Sequence, residues 1–214
     1  MSFRDAVWSV DGVRSMKAKM KRKGRLLLGC PSISNPCENP MYYAAAHGNL
    51  TAVEAILCSG EDVNQPTTDK ADTALHLAAY YDHIALVKLL IEAGADVDKK
   101  TRTGSTALSV AAEHGHTSCV MALLRAGADI NLEGRTPIYL AAEFGHEACV
   151  ALLIGAGADF HKRLRFRVSW PSRLCPSHTS HNMVVRGNTP MVIASRKGHT
   201  RIVKLLKDAQ AFDL

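Results

Sequence analysis

Apolar residues return along this chain in short bursts at helical spacing, and most bursts close on a glycine. Cys119, Val120, Leu123 and Leu124 share one face of a 3.6-residue helix, and leucine pairs recur at Leu89-Leu90, Leu152-Leu153 and Leu205-Leu206. The pattern predicts short helices in pairs. Thr73, Thr106, Thr136 and Thr189 stand where a hydroxyl can accept an orphan first-turn amide. Pro137 and Pro190 follow at the first helical position, where a missing N–H costs nothing. Gly115, Gly145 and Gly198 suit a turn with positive φ, and Asp82 fills the same slot as one of the few residue types that tolerate it. Gly94, Gly127 and Gly157 read as helix C-caps.

These signals repeat in register. Thr73-Ala-Leu-His-Leu-Ala-Ala79 matches segments opening at Thr106, Thr136 and Thr189, and Asp82-His83, Gly115-His116, Gly145-His146 and Gly198-His199 follow at one offset. Closing glycines at 60, 94, 127 and 157 lie 34, 33 and 30 residues apart. A weaker first copy runs from Tyr42 through Ala44-Ala45 and Gly48 to Gly60 and Asn64. Through its T-P/A-L-H-x-A-A, G-H-x-x-V and L-L-x-x-G-A-D-V-N segments the chain resembles the ankyrin-repeat family, over about 70% of its length. The expected fold is all-α: a solenoid of five helix-turn-helix units with short β-hairpin fingers. The repeats fall at about 40–66, 67–99, 100–132, 133–166 and 187–214. A helix pair cannot bury its apolar face alone, so neighbours must close the core.

Charge divides the chain. Residues 1–30 carry eight Lys/Arg against two Asp, and 31–161 carry seven against sixteen acids. Residues 162–186 carry six and no acid, and 187–214 carry five against two. An acidic body therefore bears basic attachments, and the net charge of +6 describes neither. The segment 1–39 reads as a basic, flexible arm, with seven Lys/Arg between Arg14 and Arg25. It is open to reading as a nuclear-import signal, a solvated tail, or a patch for nucleic acid or anionic membrane. No aromatic interleaves the run, so base stacking has no support. No apolar stretch approaches the roughly 18–20 residues of a membrane helix.

The six cysteines lack a C-x-x-C pair, and the N-terminus does not resemble a secretory signal. A reducing cytoplasmic or nuclear location is expected; a mitochondrial presequence is the alternative that Asp5 and Asp11 weigh against. Cys119 and Cys149 share one repeat slot and read as small core hydrophobes. His83, His116, His146 and His199 recur once per repeat, which marks scaffold rather than metal ligands. His76 is expected to hydrogen-bond within its own turn. No nucleophile elbow, P-loop or dinucleotide fingerprint occurs. The expectation is a monomeric, non-enzymatic interaction module that needs no cofactor or metal and binds a protein partner.

The resemblance implies where that partner binds: the hairpin fingers and the residues after each Ala-Ala pair. These are Lys70, Asp72, Tyr80 and Tyr81 in the second repeat, and Arg102, Thr103, Ser105, Glu113 and His114 in the third. The fourth contributes Leu132, Glu133, Arg135, Glu143 and Phe144, and the fifth Asn188, Arg196 and Lys197. Tyr80, Tyr81, Phe144 and Arg135 are of the types that carry binding hot spots. A seam-covering role for Tyr80 and Tyr81 stays open.

Three departures stand out. Asn131-Leu132-Glu133-Gly134 makes the finger before the fourth repeat three residues short. The Thr136-to-Thr189 distance is 53, which puts an insertion at about 167–186, Pro-containing and rich in Ser, Thr and His, read as a disordered or loosely packed loop. A functional loop for an anionic partner, a tolerated insertion and translated non-coding sequence all remain open for it. Lys197, Arg201, Lys204, Lys207 and Asp208 would give the last repeat the polar outer face of a cap.

Overall fold

From the second repeat to the fifth, the first helix starts on a threonine in extended backbone and stops where the chain turns left-handed. Thr106 (φ −101°, ψ 166°) accepts the Ser109 amide, and Ser109 Oγ accepts the Thr106 amide at 2.9 Å, a reciprocal cap. That helix ends at Gly115 with φ 76°, while in the second repeat Asp82 adopts φ 59° at the same turn. The computed structural model describes residues 40–67, 70–132, 136–161, 165–169, 182–186 and 188–212. The basic arm and the centre of the insertion lie outside these residues.

Among the described residues the elements are α1 (Pro40–Ala46), α2 (Leu50–Cys58), α3 (Ala74–Tyr80), α4 (Ile84–Glu92), α5 (Ala107–His114) and α6 (Thr117–Arg125). There follow α7 (Pro137–Phe144), α8 (Glu147–Gly155), strands β1 (Arg165–Ser169) and β2 (Asn182–Arg186), α9 (Pro190–Lys197) and α10 (Thr200–Phe212). Each helix pair forms one repeat, giving the all-α solenoid expected. First helices stack on first helices (α1, α3, α5, α7, α9) and second on second (α2, α4, α6, α8, α10).

The core runs the length of the stack. Ala78-Ala79, Ala111-Ala112 and Ala141-Ala142 are fully buried and let the first helices approach closely. Leu75, Leu86, Leu90, Leu108, Leu123, Ile138, Leu153, Ile202 and Leu206 fill the space between repeats. Each such side chain contributes about 1.5–3 kcal/mol relative to exposure. Cys119 and Cys149 sit in this core; burial, with Asp82 beside the first, pushes their thiols up to about 12 and about 11.

Two polar ladders tie adjacent repeats. On one edge, a ring nitrogen of each turn histidine donates to a backbone carbonyl of the preceding repeat, the acceptor requiring that the nitrogen carry the proton. His83 Nε2 reaches Ala46 O (3.0 Å), His116 reaches Tyr80 O (3.0 Å), His146 reaches Glu113 O (2.9 Å) and His199 reaches Glu143 O (3.2 Å). On the other edge, Asn64, Asp98 and Asn131 accept the amides of Asp96, Asp129 and Asp159 at 2.8–2.9 Å. Gly94, Gly127 and Gly157 fall one residue past the caps Ala93, Ala126 and Ala156, each with φ 85°. There the amides of Ala95, Ala128 and Ala158 bond back to Leu90, Leu123 and Leu153.

The finger of the third repeat is a tight turn rather than a regular strand: the Thr101 amide donates to Ser105 O, and the Arg102 amide crosses to Lys70 O at 2.8 Å. Around the insertion the structure differs from a simple loop. β1 and β2 pair antiparallel from Arg165↔Arg186 to Ser169↔Asn182. Pairing brings the two ends of the insertion together, so the added residues leave the stacking register unchanged. His199 still bonds Glu143, although 56 residues separate them.

Candidate functional site

The row of residues expected to meet a partner draws on the ends of the first helices and the fingers beside them. In each repeat the two residues after the alanine pair precede the left-handed turn, so they are held by the helix on one side and by the histidine ladder on the other. Those positions carry Tyr80-Tyr81, Glu113-His114, Glu143-Phe144 and Arg196-Lys197. The histidines bind the backbone carbonyls of Tyr80, Glu113 and Glu143; of these side chains Tyr80 is exposed, and Glu113 and Glu143 are half-buried.

Eight of the residues named from the sequence come together here. Lys70, Asp72, Tyr80, Tyr81, Thr103, Ser105, Glu113 and His114 line one open depression of about 780 Å³ between the second and third repeats. Tyr80 and Tyr81 meet edge to face at 4.8 Å, and Tyr80 lies 4.4 Å from the His114 ring. Tyr80 therefore covers the seam between repeats and still leaves 46% of its surface exposed; Tyr81 leaves 45%. Burial raises the Tyr81 phenol above its ordinary value, and the Tyr42 and Tyr80 hydroxyls add to the effect, so three phenols converge.

Ser105 is only 5% exposed. Its amide donates to Thr101 Oγ1 and its carbonyl faces His76 Nε2 at 3.3 Å, which makes it part of the floor. His76 bonds Thr73 as expected and also reaches into the next repeat. Its Nδ1 accepts the Thr73 amide, so Nε2 carries the proton. Burial holds its pKa below the ordinary histidine value, against the opposing pull of the Ser105 carbonyl and Asp72.

The other named residues are not among those that line the depression. Arg102 is exposed on the finger, and Leu132 is half-buried. Glu143 is half-buried and Phe144 49% exposed one repeat further on, and Asn188, Arg196 and Lys197 belong to the last repeat. Glu133 and Arg135 lie outside the described residues. Sequence reasoning missed Tyr42, Thr101 and Val110 as lining residues. The signal for Tyr42 was its register, two residues before an alanine pair and equivalent to His76. Among the described residues no group of three His, Cys, Asp or Glu side chains could hold a metal ion. No helix of these residues is long and apolar enough to cross a membrane.

A family model for ankyrin repeats in three copies matches residues 17–101 and 75–163, and a single-repeat model matches 186–212. The gap between the matches is occupied by the β1–β2 ribbon. An ankyrin repeat protein of Escherichia coli, YahD, is 41% identical over 61 residues, 28% of this chain and 29% of that protein. The potassium channel AKT1 of Arabidopsis thaliana is 41% identical over 61 residues, 28% of this chain and 7% of the channel. The palmitoyltransferase akr1 of Neurospora crassa is 31% identical over 88 residues, 41% of this chain and 12% of the enzyme. The chain thus spans less than a third of the length of each of these curated relatives.

Proposed function

We propose a function from one premise: the chain belongs to the ankyrin-repeat family. Ankyrin repeats are protein–protein interaction modules, and this array acts as one, without chemistry of its own, by presenting its concave face to a segment of a protein partner. The observation that carries this reading is the exposure of Tyr80 and Tyr81 at the end of α3, beside an open depression, and of Phe144 at the end of α7. Large aromatic rings on rigid supports lose little conformational entropy on binding and bury much area. The matched stretch also occurs within a channel and a palmitoyltransferase, proteins of unlike activity, which supports a portable recognition role.

The test is a double variant, Tyr81→Ala with Phe144→Ala, in affinity capture from cell extract followed by mass spectrometry. Partners retained by the parent should be lost, with far-UV circular dichroism and thermal midpoint preserved because both rings are half-exposed. Undiminished capture by a folded double variant would overturn the reading.

A further inference from the structure

We propose that the β1–β2 ribbon docks the chain on an anionic lipid bilayer, with its apolar face in the headgroup boundary and its arginines among the lipid phosphates. This goes beyond the concave-face reading and stands independently of it.

Register gives the ribbon two unlike faces. Antiparallel pairing sets Phe166 against Val185 and Val168 against Met183, and alternation along the strands puts these two pairs on one face, all apolar. The other face takes Arg165 opposite Arg186, Arg167 opposite Val184, and Ser169 opposite Asn182. An apolar face backed by a basic one is the division found in helices that lie in the plane of a membrane interface.

Neither face is satisfied by the ribbon alone. Two strands are marginally stable in water unless a further strand or a helix packs on them. Among the described residues β1 and β2 pair with each other, and no helix packs extensively against either. Arg165 and Arg186 are like charges directly across the ladder, which opposes pairing. Residues 162–186 hold six Lys/Arg and no acid to offset them.

An anionic bilayer answers both needs. It covers an apolar face to a depth of about 5–10 Å and surrounds the basic face with phosphates that long arginine stems can reach. Charge also orients the molecule. Residues 31–161, with seven Lys/Arg against sixteen acids, are repelled by such a surface. Arg196, Lys197, Lys204 and Lys207, exposed on the repeat that follows β2, are drawn to it. A duplex major groove also admits a two-stranded ribbon, but it would satisfy the arginines and leave the apolar face in water. A second copy, ribbon against ribbon, would cover the apolar faces and supply no anion.

Vesicle co-sedimentation of the full chain at about 0.15 M salt tests this, comparing phosphatidylcholine vesicles with ones holding about a quarter phosphatidylserine. The parent should bind the anionic vesicles at least about tenfold more strongly than the neutral ones. Each arginine near such a surface is worth about fivefold, so joint Arg165→Gln, Arg167→Gln and Arg186→Gln should weaken binding about 100-fold. The same three positions changed to lysine keep the charge and should bind like the parent. Phe166→Ser with Val168→Ser should weaken binding about tenfold or more, whereas Phe166→Leu with Val168→Leu should not. Far-UV circular dichroism should be unchanged throughout. Residues 1–39 are basic too, so anionic-vesicle binding that ignores every ribbon variant assigns the affinity to them and overturns the proposal. So does equal binding to both vesicle types, or to neither. Binding of a short DNA duplex through the three arginines but not Phe166, without vesicle binding, overturns it in favour of nucleic acid. A dimer by light scattering that Phe166→Ser with Val168→Ser abolishes, at unchanged vesicle affinity, overturns it in favour of a second copy.

Discussion

Adding one methyl group at Gly115 should expose how the repeats are joined. Gly115 has φ 76°, and a Cβ built there lies 2.5 Å from Nδ1 of His146, a ring of the next repeat. Left-handed backbone costs an alanine about 1–2 kcal/mol on its own. The ring must also move, and its bond to Glu113 O (2.9 Å) contributes about 0.5–1.5 kcal/mol. Gly115→Ala should therefore lower stability by about 2–3 kcal/mol. Gly127 is the control, since it has φ 85° with nothing within 4 Å of an added Cβ. Gly127→Ala should lose only the backbone share, about 1–2 kcal/mol. In a His146→Ala background the obstruction is gone, and Gly115→Ala should fall to the Gly127→Ala value. Urea denaturation followed by far-UV circular dichroism, with unchanged m-values, measures all four variants. Equal costs for Gly115→Ala and Gly127→Ala, or no coupling between Gly115 and His146, would refute the interlock.

Other consequences follow from caps and buried groups. Thr106→Val should cost about 1 kcal/mol or more, because its hydroxyl caps a helix, whereas Thr136→Val should be nearly neutral in the same urea assay. Thr136 Oγ1 is buried and without a hydrogen-bond partner, so the methyl removes a penalty rather than a bond. His76 binds its proton less readily folded than unfolded, so the unfolded chain takes up more protons below about pH 6.5 and stability falls there as pH falls. Subtracting the pH–stability curve of His76→Gln should remove a slope of at most about 1.4 kcal/mol per pH unit; an unchanged slope would contradict a buried neutral ring. Cys119 and Cys149, with thiols pushed up to about 12 and about 11, should resist iodoacetamide at pH 8 until the repeats open, as read by peptide mass spectrometry. Prompt native-state labelling of either would place it outside the core.

The helices were legible in the sequence because local signals agree with the tertiary demand. Thr106, Gly115 and the Cys119–Leu124 face each speak to a boundary or a buried side within one repeat, and the repeat multiplies the signal. Asp82 shows how far this goes, since its left-handed turn was readable from the slot alone. The ends of the first helices were legible for the same reason, as positions rather than as contacts. What escaped depends on pairing across the chain. The β1–β2 ribbon joins segments on either side of a proline-containing stretch, and neither strand announces its partner locally. Its slot makes Ser105 a finger residue open to a partner, but the Thr101–Thr103–Ser105 hydroxyl chain and the His76 ring draw it inward. Tyr42 escapes a reading by motif because the first copy lacks the T-x-L-H segment that flags this register in the other repeats.

Adjacent repeats are joined through their turn histidines. Long-range proton–nitrogen correlation NMR on histidine side chains tests this directly. His83, His116, His146 and His199 should all appear as Nε2–H tautomers at pH 8, with ring protons slow to exchange with water. Mixed or Nδ1–H tautomers exchanging freely at these four positions would contradict it.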